Sequence, residues 1–448
     1  MKKYNILLLA NDRHITTAVT DHIHAITNSQ ENNWIIENPL TCKTLHKLDL
    51  NMFDAIGFHY SIRPHDPYYL PKALYKKIQS YQGVKFQFLQ DEYQRVNVAT
   101  KAMIDLNINL LFTLVKPSLV EQAYNLPELL NMKKVSILTG YTPSLLENIN
   151  TPLIKDRHTD IFYRGRLYDY WLGKLAQDRK VIADGVGQRA KQYNLKIDIS
   201  VSEQQRIYGQ EWFKKHMESK AVLGTESGSS IWDYNGQAER DVKSTLKKYP
   251  NLKFDEVYDK VLNKYEGNLM YNASSPRLLE AISLRTTLIM FPGEYSGLCE
   301  PDKHYIALEK DFSNFKDVVN KLRDDDYLQN LVDFAYEDII ASGRFSQSKL
   351  TNLVNSEITK LISNNIKEKT GKINSTQHIY SAIKKEKQKH VLLNTYHIFA
   401  SELAFSLKNV FSIFFDPRYT FKKKISVFSN GIKRYFVYIL PRFKRNSH

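Results

Sequence analysis

Between residues 4 and 115 four apolar runs, YNILLLA (4–10), FDAIGFHY (53–60), VKFQFLQ (84–90) and NLLFTLV (109–115), alternate with stretches of helical spacing. Of these, His22 to Ile26 and Pro71 to Tyr81 read as helices. Strand and helix in alternation imply a parallel sheet covered by helices on both faces.

Working outward, a further strand, KKVSILTG (133–140), is followed by the two-proline stretch YTPSLLENINTP (141–152), which places a domain boundary near residues 150–158. The pattern then repeats. DIFYRGR (160–166) leads into a helix reaching about Tyr193, then KIDISVS (196–202) and KAVLGTESGSSIWDYNG (220–236). Gln237 to Tyr271 is charged and helical and reads as an insertion, after which SSPRLLEAISLRTTLIMFPGEYSG (274–297) supplies helix, strand and loop. A helical closing segment runs from Ser313 to about Asn365. The expected organisation is a first Rossmann-like domain over 1–155, a second Rossmann-like domain over 156–365, and a linker with a basic, aromatic helical tail over 366–448. Two doubly wound α/β domains facing each other would line a shared cleft with their carboxyl-end loops.

At 448 residues the chain is too long for one ordinary core, and 42% hydrophobic with 25% charged residues is a globular composition. Two cysteines, Cys42 and Cys299, argue against a disulfide framework or a cysteine-based zinc site, and a reducing, cytoplasmic location is expected. No window approaches the roughly 20 apolar residues of a spanning helix, and the amino-terminal apolar run is too short for a signal peptide. The formal charge is +15, and residues 400–448 hold ten Lys/Arg against two Asp/Glu, a net of +8. Aromatic residues lie among those cations, a mixture suited to an anionic membrane surface, so a peripheral position on the inner face of the cell membrane is expected. Specific nucleic-acid binding is not, because no zinc finger or aromatic RNA-binding motif accompanies the charge.

The chemically strongest segment is Ser275-Pro276-Arg277-Leu278-Leu279-Glu280-Ala281. Ser275 followed by Pro276 marks a helix start, where free amides and the helix dipole favour a phosphate, and Arg277 adds a cation. Glu280, one turn inward, can accept two hydrogen bonds from a ribose diol. By spacing alone it could equally be an ordinary helix glutamate on a solvated face.

This segment, with PDKHYIALEKDFSNFKDVVNKL (301–322), resembles the nucleotide-sugar-binding lobe of GT-B fold glycosyltransferases. The likeness is to bacterial surface-polysaccharide enzymes of the group 1-like branch related to spore-maturation-type enzymes, and covers residues 270–350 specifically. It implies that Glu280 holds the donor ribose and that the loop Glu294-Tyr295-Ser296-Gly297 lies by the donor's sugar or diphosphate. Many retaining relatives carry a second glutamate eight positions earlier; Asn272 stands there in this chain. Relatives also use a Gly-Arg followed by a lysine to neutralise the leaving diphosphate, which assigns that role to Arg166 with Lys174, and Arg164 lies beside them as donor contact or ion-pair partner. Glu226-Ser227-Gly228-Ser229-Ser230, after a β-run, is a donor-binding candidate because small residues and hydroxyls permit close backbone approach.

For the first lobe, strand-end residues are the candidates: Asp12 and Asp91 as general base, His59 as a donor-sugar contact. No metal and no other cofactor is expected, since such enzymes stabilise the leaving group with cations and helix dipoles. The function implied is transfer of a sugar from a nucleotide-sugar to a glycan or lipid-linked acceptor in bacterial cell-surface polysaccharide synthesis. Alternatives are an epimerase or hydrolase of the same fold, or a catalytically silent scaffold or basic nucleic-acid-binding protein.

Overall fold

The computed structural model describes residues 3–13, 17–42, 44–142, 144–146, 149–365 and 375–389. In the first lobe β1 (Asn5–Leu9), β2 (Asn33–Glu37), β3 (Ala55–Phe58), β4 (Val84–Phe88), β5 (Leu110–Thr113) and β6 (Lys133–Ser136) form one parallel sheet in the order β2-β1-β3-β4-β5-β6. Register pairs Leu7 with Ile35 on one side and with Ile56 on the other. Helices α1 (Thr17–Thr27), α2 (Lys72–Ser80), α3 (Val96–Asp105) and the short α4 (Val120–Ala123) complete the lobe. The central strands are buried along their whole length, as continuous apolar runs demand when helices cover both faces. Lys85 and Gln87 on β4 are buried too; the Lys85 ammonium reaches the Tyr81 carbonyl at 2.8 Å. Gly57 is required by packing: a Cβ there would lie 2.1 Å from the Phe86 ring. All four runs read as strands are strands, while β2 escaped that reading because its apolar core, Trp34 to Ile36, is short and bracketed by asparagines and Glu37.

The second lobe carries β7 (Thr159–Arg164), α5 (Lys174–Ala190), β8 (Ile197–Ser200), α6 (Gln210–Met217), β9 (Ser219–Gly224), β10 (Ser227–Ser229), α7 (Gln237–Lys248) and α8 (Phe254–Val257). It continues with β11 (Tyr271–Ala273), α9 (Pro276–Ser283), β12 (Thr287–Met290), β13 (Ile306–Ala307), α10 (Phe315–Arg323) and α11 (Asp325–Ala335). Five strands form a parallel sheet in the order β13-β12-β9-β7-β8, and β10-β11 is a small antiparallel ribbon above it. In both sheets the first strand lies second from the edge, and the chain reverses direction between it and its third: β1/β3 in one lobe, β7/β9 in the other. The carboxyl ends at that reversal leave a crevice, which is where open α/β sheets hold ligands.

Two segments cross between the lobes. The stretch read as an insertion, with α7 and α8, stays in sequence within the second lobe but packs its apolar face on the first: Val242, Val257, Leu262 and Tyr271, with Trp232 just ahead of the stretch, share a core with Leu7, Phe58 and Leu111. The Val96 and Asn97 amides bond the Asp233 and Tyr234 carbonyls, and Arg95 pairs with Glu239 at 3.1 Å. Helix α12 (Gln347–Asn365), counted with the second domain in the sequence, also packs on the first. Its stripe Leu350, Val354, Ile358 and Ile362, at i, i+4 spacing, is buried against Ile6, Leu8 and Phe86. Helix α13 (Thr376–Lys389) follows it there, burying Ile379 and Ile383, with Lys387 on Glu37 at 2.8 Å. The tail 400–448, with its expected membrane contact, lies outside the described residues.

Candidate functional site

The start of α9 falls at Pro276, where the sequence predicts it; the Ser275 side chain makes no capping bond, and the Leu278 amide donates to the Ser275 carbonyl at 3.1 Å. Arg277 follows. Its Nη1 donates to the Arg164 carbonyl at 2.6 Å, and its guanidinium stacks 5.0 Å from the Trp212 ring. Glu280, one turn along, accepts from Trp212 Nε1 at 2.8 Å. Burial raises its carboxyl above the ordinary range, against that hydrogen bond and the Arg277 charge. Ser275 and Arg277 line a crevice, open to solvent, walled by Phe162, Trp212, Val222 and Leu288 and floored by the ends of β7 and β9. His216, one turn after Trp212, is buried in the same wall, and burial drops its pKa to about 3 and keeps it neutral beside Arg277.

A second guanidinium enters the cleft from α5, and sequence reasoning passed over it. Arg179 Nη2 donates to Ser227 Oγ at 2.5 Å, and its charge, after burial, pulls the Arg277 pKa down. Among the described residues neither arginine forms an ion pair. Two like charges on one crevice, with Glu280 a helical turn away as their nearby carboxylate and no ion pair among the described residues, favour an anion between them. Of the other cations that the sequence favoured, Arg164 lines this crevice while Arg166 and Lys174 are exposed. Arg164 is engaged by Asp198 at 2.5 Å and by the Gln205 and Asp198 carbonyls. Arg166 is exposed and lies 3.7 Å from Glu203. Lys174 is exposed over the Tyr258 ring at 4.2 Å. No spacing rule marks Arg179; it stands five residues after Lys174 on the same helix, and only the docking of α5 under β10 brings it to the cleft.

In the loop after β9, Ser229 and Ser230 are buried and bonded internally: Ser229 Oγ donates to the Leu172 carbonyl at 2.9 Å, and Ser230 Oγ accepts from the Leu175 amide. Gly228, at φ +121°, turns the ribbon where a Cβ would strike the Tyr271 carbonyl at 1.9 Å. Glu226 and Ser227 are half-buried. Glu226 Oε1 accepts from Asn272 Nδ2 at 3.0 Å and from the amides of Glu294 and Tyr295 at 3.1 and 3.0 Å, linking this loop to the one after β12. That second loop is strained. Tyr295, Ser296 and Gly297 all have positive φ (45°, 54° and 73°), a conformation costing about 1–3 kcal/mol at each non-glycine residue. It persists because Glu226 holds its start, Ser296 Oγ accepts from the Ser274 amide at 3.1 Å, and the buried Tyr295 hydroxyl donates to the Phe291 carbonyl at 2.5 Å. The Glu294 carboxylate reaches across to Lys116 of the first lobe at 2.9 Å, which lowers its pKa.

The first lobe's candidates diverge. His59 is fully buried, with Nε2 3.0 Å from His22 Nδ1 and Nδ1 2.8 Å from Ser61 Oγ, so the structure keeps it out of the cleft. Asp12 is exposed and accepts from Asn38 Nδ2 at 3.0 Å, on the β2 side of the lobe. Asp91 is exposed at φ +54°, accepts from the Tyr93 hydroxyl at 3.1 Å, and its charge acts on Tyr60 of the first lobe and Tyr271 of the crossing segment. Beneath it Glu92 is buried, accepting from the Leu114 amide at 2.7 Å, Thr113 and Tyr124; burial lifts its pKa to about 7.

No protein-family model matches the chain. Among curated proteins it is 26% identical over 160 residues to NAD kinase 2, mitochondrial, of Rattus norvegicus, covering 32% of this chain and 35% of that protein. The chain thus spans about a third of the curated relative it matches. Among solved structures it is similar to TarM, with 13% identity and a TM-score of 0.37, covering 69% of this chain and 54% of that one. It is similar also to a DNA-modifying β-glucosyltransferase studied with and without uridine diphosphoglucose, at 11% identity and a TM-score of 0.48, covering 79% and 99% of the two chains. An α-glucosyltransferase in complex with UDP-glucose and DNA containing an abasic site gives 10% identity and a TM-score of 0.45, covering 81% and 100%.

Proposed function

We propose that this protein is a glycosyltransferase that takes a sugar from a nucleotide-sugar donor in the second lobe and passes it to a hydroxyl of an acceptor held by the first. The observation that carries the reading is the corner at the start of α9: two unpaired guanidiniums, Arg277 and Arg179, on one cleft with the Glu280 carboxylate a helical turn away. A nucleoside diphosphate fits this corner, its diphosphate between the arginines at the positive end of the helix, its ribose diol on Glu280. Departure of the diphosphate builds negative charge that the two guanidiniums are already placed to meet, so the transfer is proposed to run without a metal. Asp91, exposed on a left-handed backbone after β4, is the proposed general base for the acceptor hydroxyl. The acceptor is proposed to be a lipid-linked or growing surface glycan, approached at the inner membrane face through the basic tail of residues 400–448. The basis is the tail's composition and the sequence resemblance.

The test is thermal stabilisation by UDP, GDP, CDP, dTDP and ADP, with Glu280→Ala alongside. A ligand present at about a hundredfold its dissociation constant stabilises the folded state by roughly 2.7 kcal/mol. One diphosphate is expected to raise the melting temperature of the wild type but not of the variant. No stabilisation at millimolar concentration would remove the donor reading.

A further inference from the structure

Arg157 stands two residues before β7, where the chain enters the second lobe, and is buried there without an ion pair among the described residues. Burial lowers its pKa to about 10, which leaves it charged at neutral pH. Oxygen dipoles take the place of a counter-ion. Nη1 donates to the Ser219 carbonyl at 3.0 Å, to Thr286 Oγ1 at 2.9 Å and to the His216 carbonyl at 3.4 Å. Nη2 donates to the Leu284 carbonyl at 3.1 Å and, together with Nε, to that of Pro152. Thr286 Oγ1 donates in turn to the His216 carbonyl at 3.0 Å. His216 lies in the last turn of α6, Ser219 just beyond it, and Leu284 caps α9, so one cation sits on the negative ends of both helices.

The same two helices carry the donor corner. From α6 comes Trp212, from α9 Arg277 and Glu280; Trp212 Nε1 donates to Glu280 at 2.8 Å, and its ring lies 5.0 Å from the Arg277 guanidinium. Both contacts require one register of α6 against α9. Apolar packing between the helices and the sheet draws them together without direction, whereas hydrogen bonds fix a position. Along α6 His216 adds no such bond, since both its ring nitrogens are buried without a partner among the described residues. Arg157 supplies the directional tie, and it is not among the residues that line the crevice. We propose, resting on the nucleotide-sugar reading above, that Arg157 is a positioning residue for the donor corner, acting through Trp212 by fixing the register of α6 against α9.

The test is Arg157→Lys in the full chain, which keeps the charge but presents its donors from a single nitrogen and cannot span acceptors on two helices. Well below the unfolding temperature, isothermal titration with the nucleoside diphosphate that stabilises wild type is expected to show about tenfold weaker binding, the scale of one hydrogen bond to a charged group. Trp212→Phe, which removes the indole donor, is expected to weaken binding by a similar factor. Adding Arg157→Lys to it should then cost less than about twofold more, because both changes break the same contact. A second readout needs no ligand. The Trp212 indole N–H signal in a nitrogen–proton correlation spectrum, assigned by its loss in Trp212→Phe, is expected to shift and to lose protection from exchange in Arg157→Lys. Thr286→Val removes one acceptor and keeps the shape; it is expected to move that signal the same way by less, and stands in if Arg157→Lys does not fold. A variant that melts lower yet binds the diphosphate as wild type does, with the indole signal unmoved, would make Arg157 purely structural and overturn the proposal, as would full additivity with Trp212→Phe. If no diphosphate binds wild type, the donor reading fails, while the indole signal still reports whether Arg157 sets the contact.

Discussion

Arg277 and Arg179 reach one crevice by different routes, and only one of the routes is written locally. Arg277 follows a proline at a helix start, a pattern visible in seven residues. Arg179 sits mid-helix, one cation among many, until α5 docks beneath β10 and sets it on Ser227. Arg179→Ala is therefore expected to weaken binding of the stabilising diphosphate about tenfold or more, the scale of a charge-assisted hydrogen bond, whereas Lys174→Ala, over Tyr258, should change it less than twofold. Titration calorimetry separates the two. Glu92 offers a test in pH. Its carboxyl, ordinarily near 4.5, is raised by burial to about 7, so the folded state holds a proton that the unfolded chain releases. The resulting stabilisation is fully present below pH 4.5 and is lost as pH rises through 7. Denaturant titrations between pH 4.5 and 7.5 should show stability falling in wild type and a flatter profile in Glu92→Gln, which keeps the shape without the ionisation.

At the scale of elements, the loops around the cleft carry the strain and the crossing segments carry the packing. Tyr295 and Ser296 hold left-handed backbones only because Glu226, Ser274 and Phe291 hold them from three sides. Helix α12 shows how far an amphipathic stripe determines a destination. Its periodicity says that one face is buried, and says nothing about which sheet covers it. In the structure that sheet is the first lobe's, so Ile358→Ala, at a site with no exposure, is expected to cost about 2–5 kcal/mol in urea unfolding, as a first-lobe core deletion would. A cost below 1 kcal/mol would place α12 elsewhere.

For the whole molecule, two sheets built alike are tied together twice. The crossing segment buries Trp232 and Tyr271 in the first lobe's core, and α12 returns to the opposite face of the same sheet. Lobes so interlocked cannot unfold independently without exposing each other's apolar surface. Calorimetry is accordingly expected to show one transition whose calorimetric and van't Hoff enthalpies agree, although chains of this size commonly give several. Two resolved transitions would mean that the ties are weaker than the lobes.

The sequence by itself determined the parallel α/β architecture, the two lobes, the helix start at Pro276 and the neighbourhood of Glu280. Each of these rests on local facts: strand runs buried on both faces, helical periodicity, and the fixed φ of proline before a helix. It also pointed to Arg166 and Lys174 through the resemblance, to Ser229 and Ser230 by their small hydroxyl-bearing composition after a strand, and to His59 by its strand end. Tertiary structure alone decided that the first two lie exposed and that the other three are buried and bonded within the fold. It alone brought Arg179 to Arg277 and Glu226 to Asn272 and the strained loop. The physical reason is that a side chain's partners across a cleft depend on helix docking and strand order, which long-range burial selects, while sequence spacing describes only a residue's neighbours along one element.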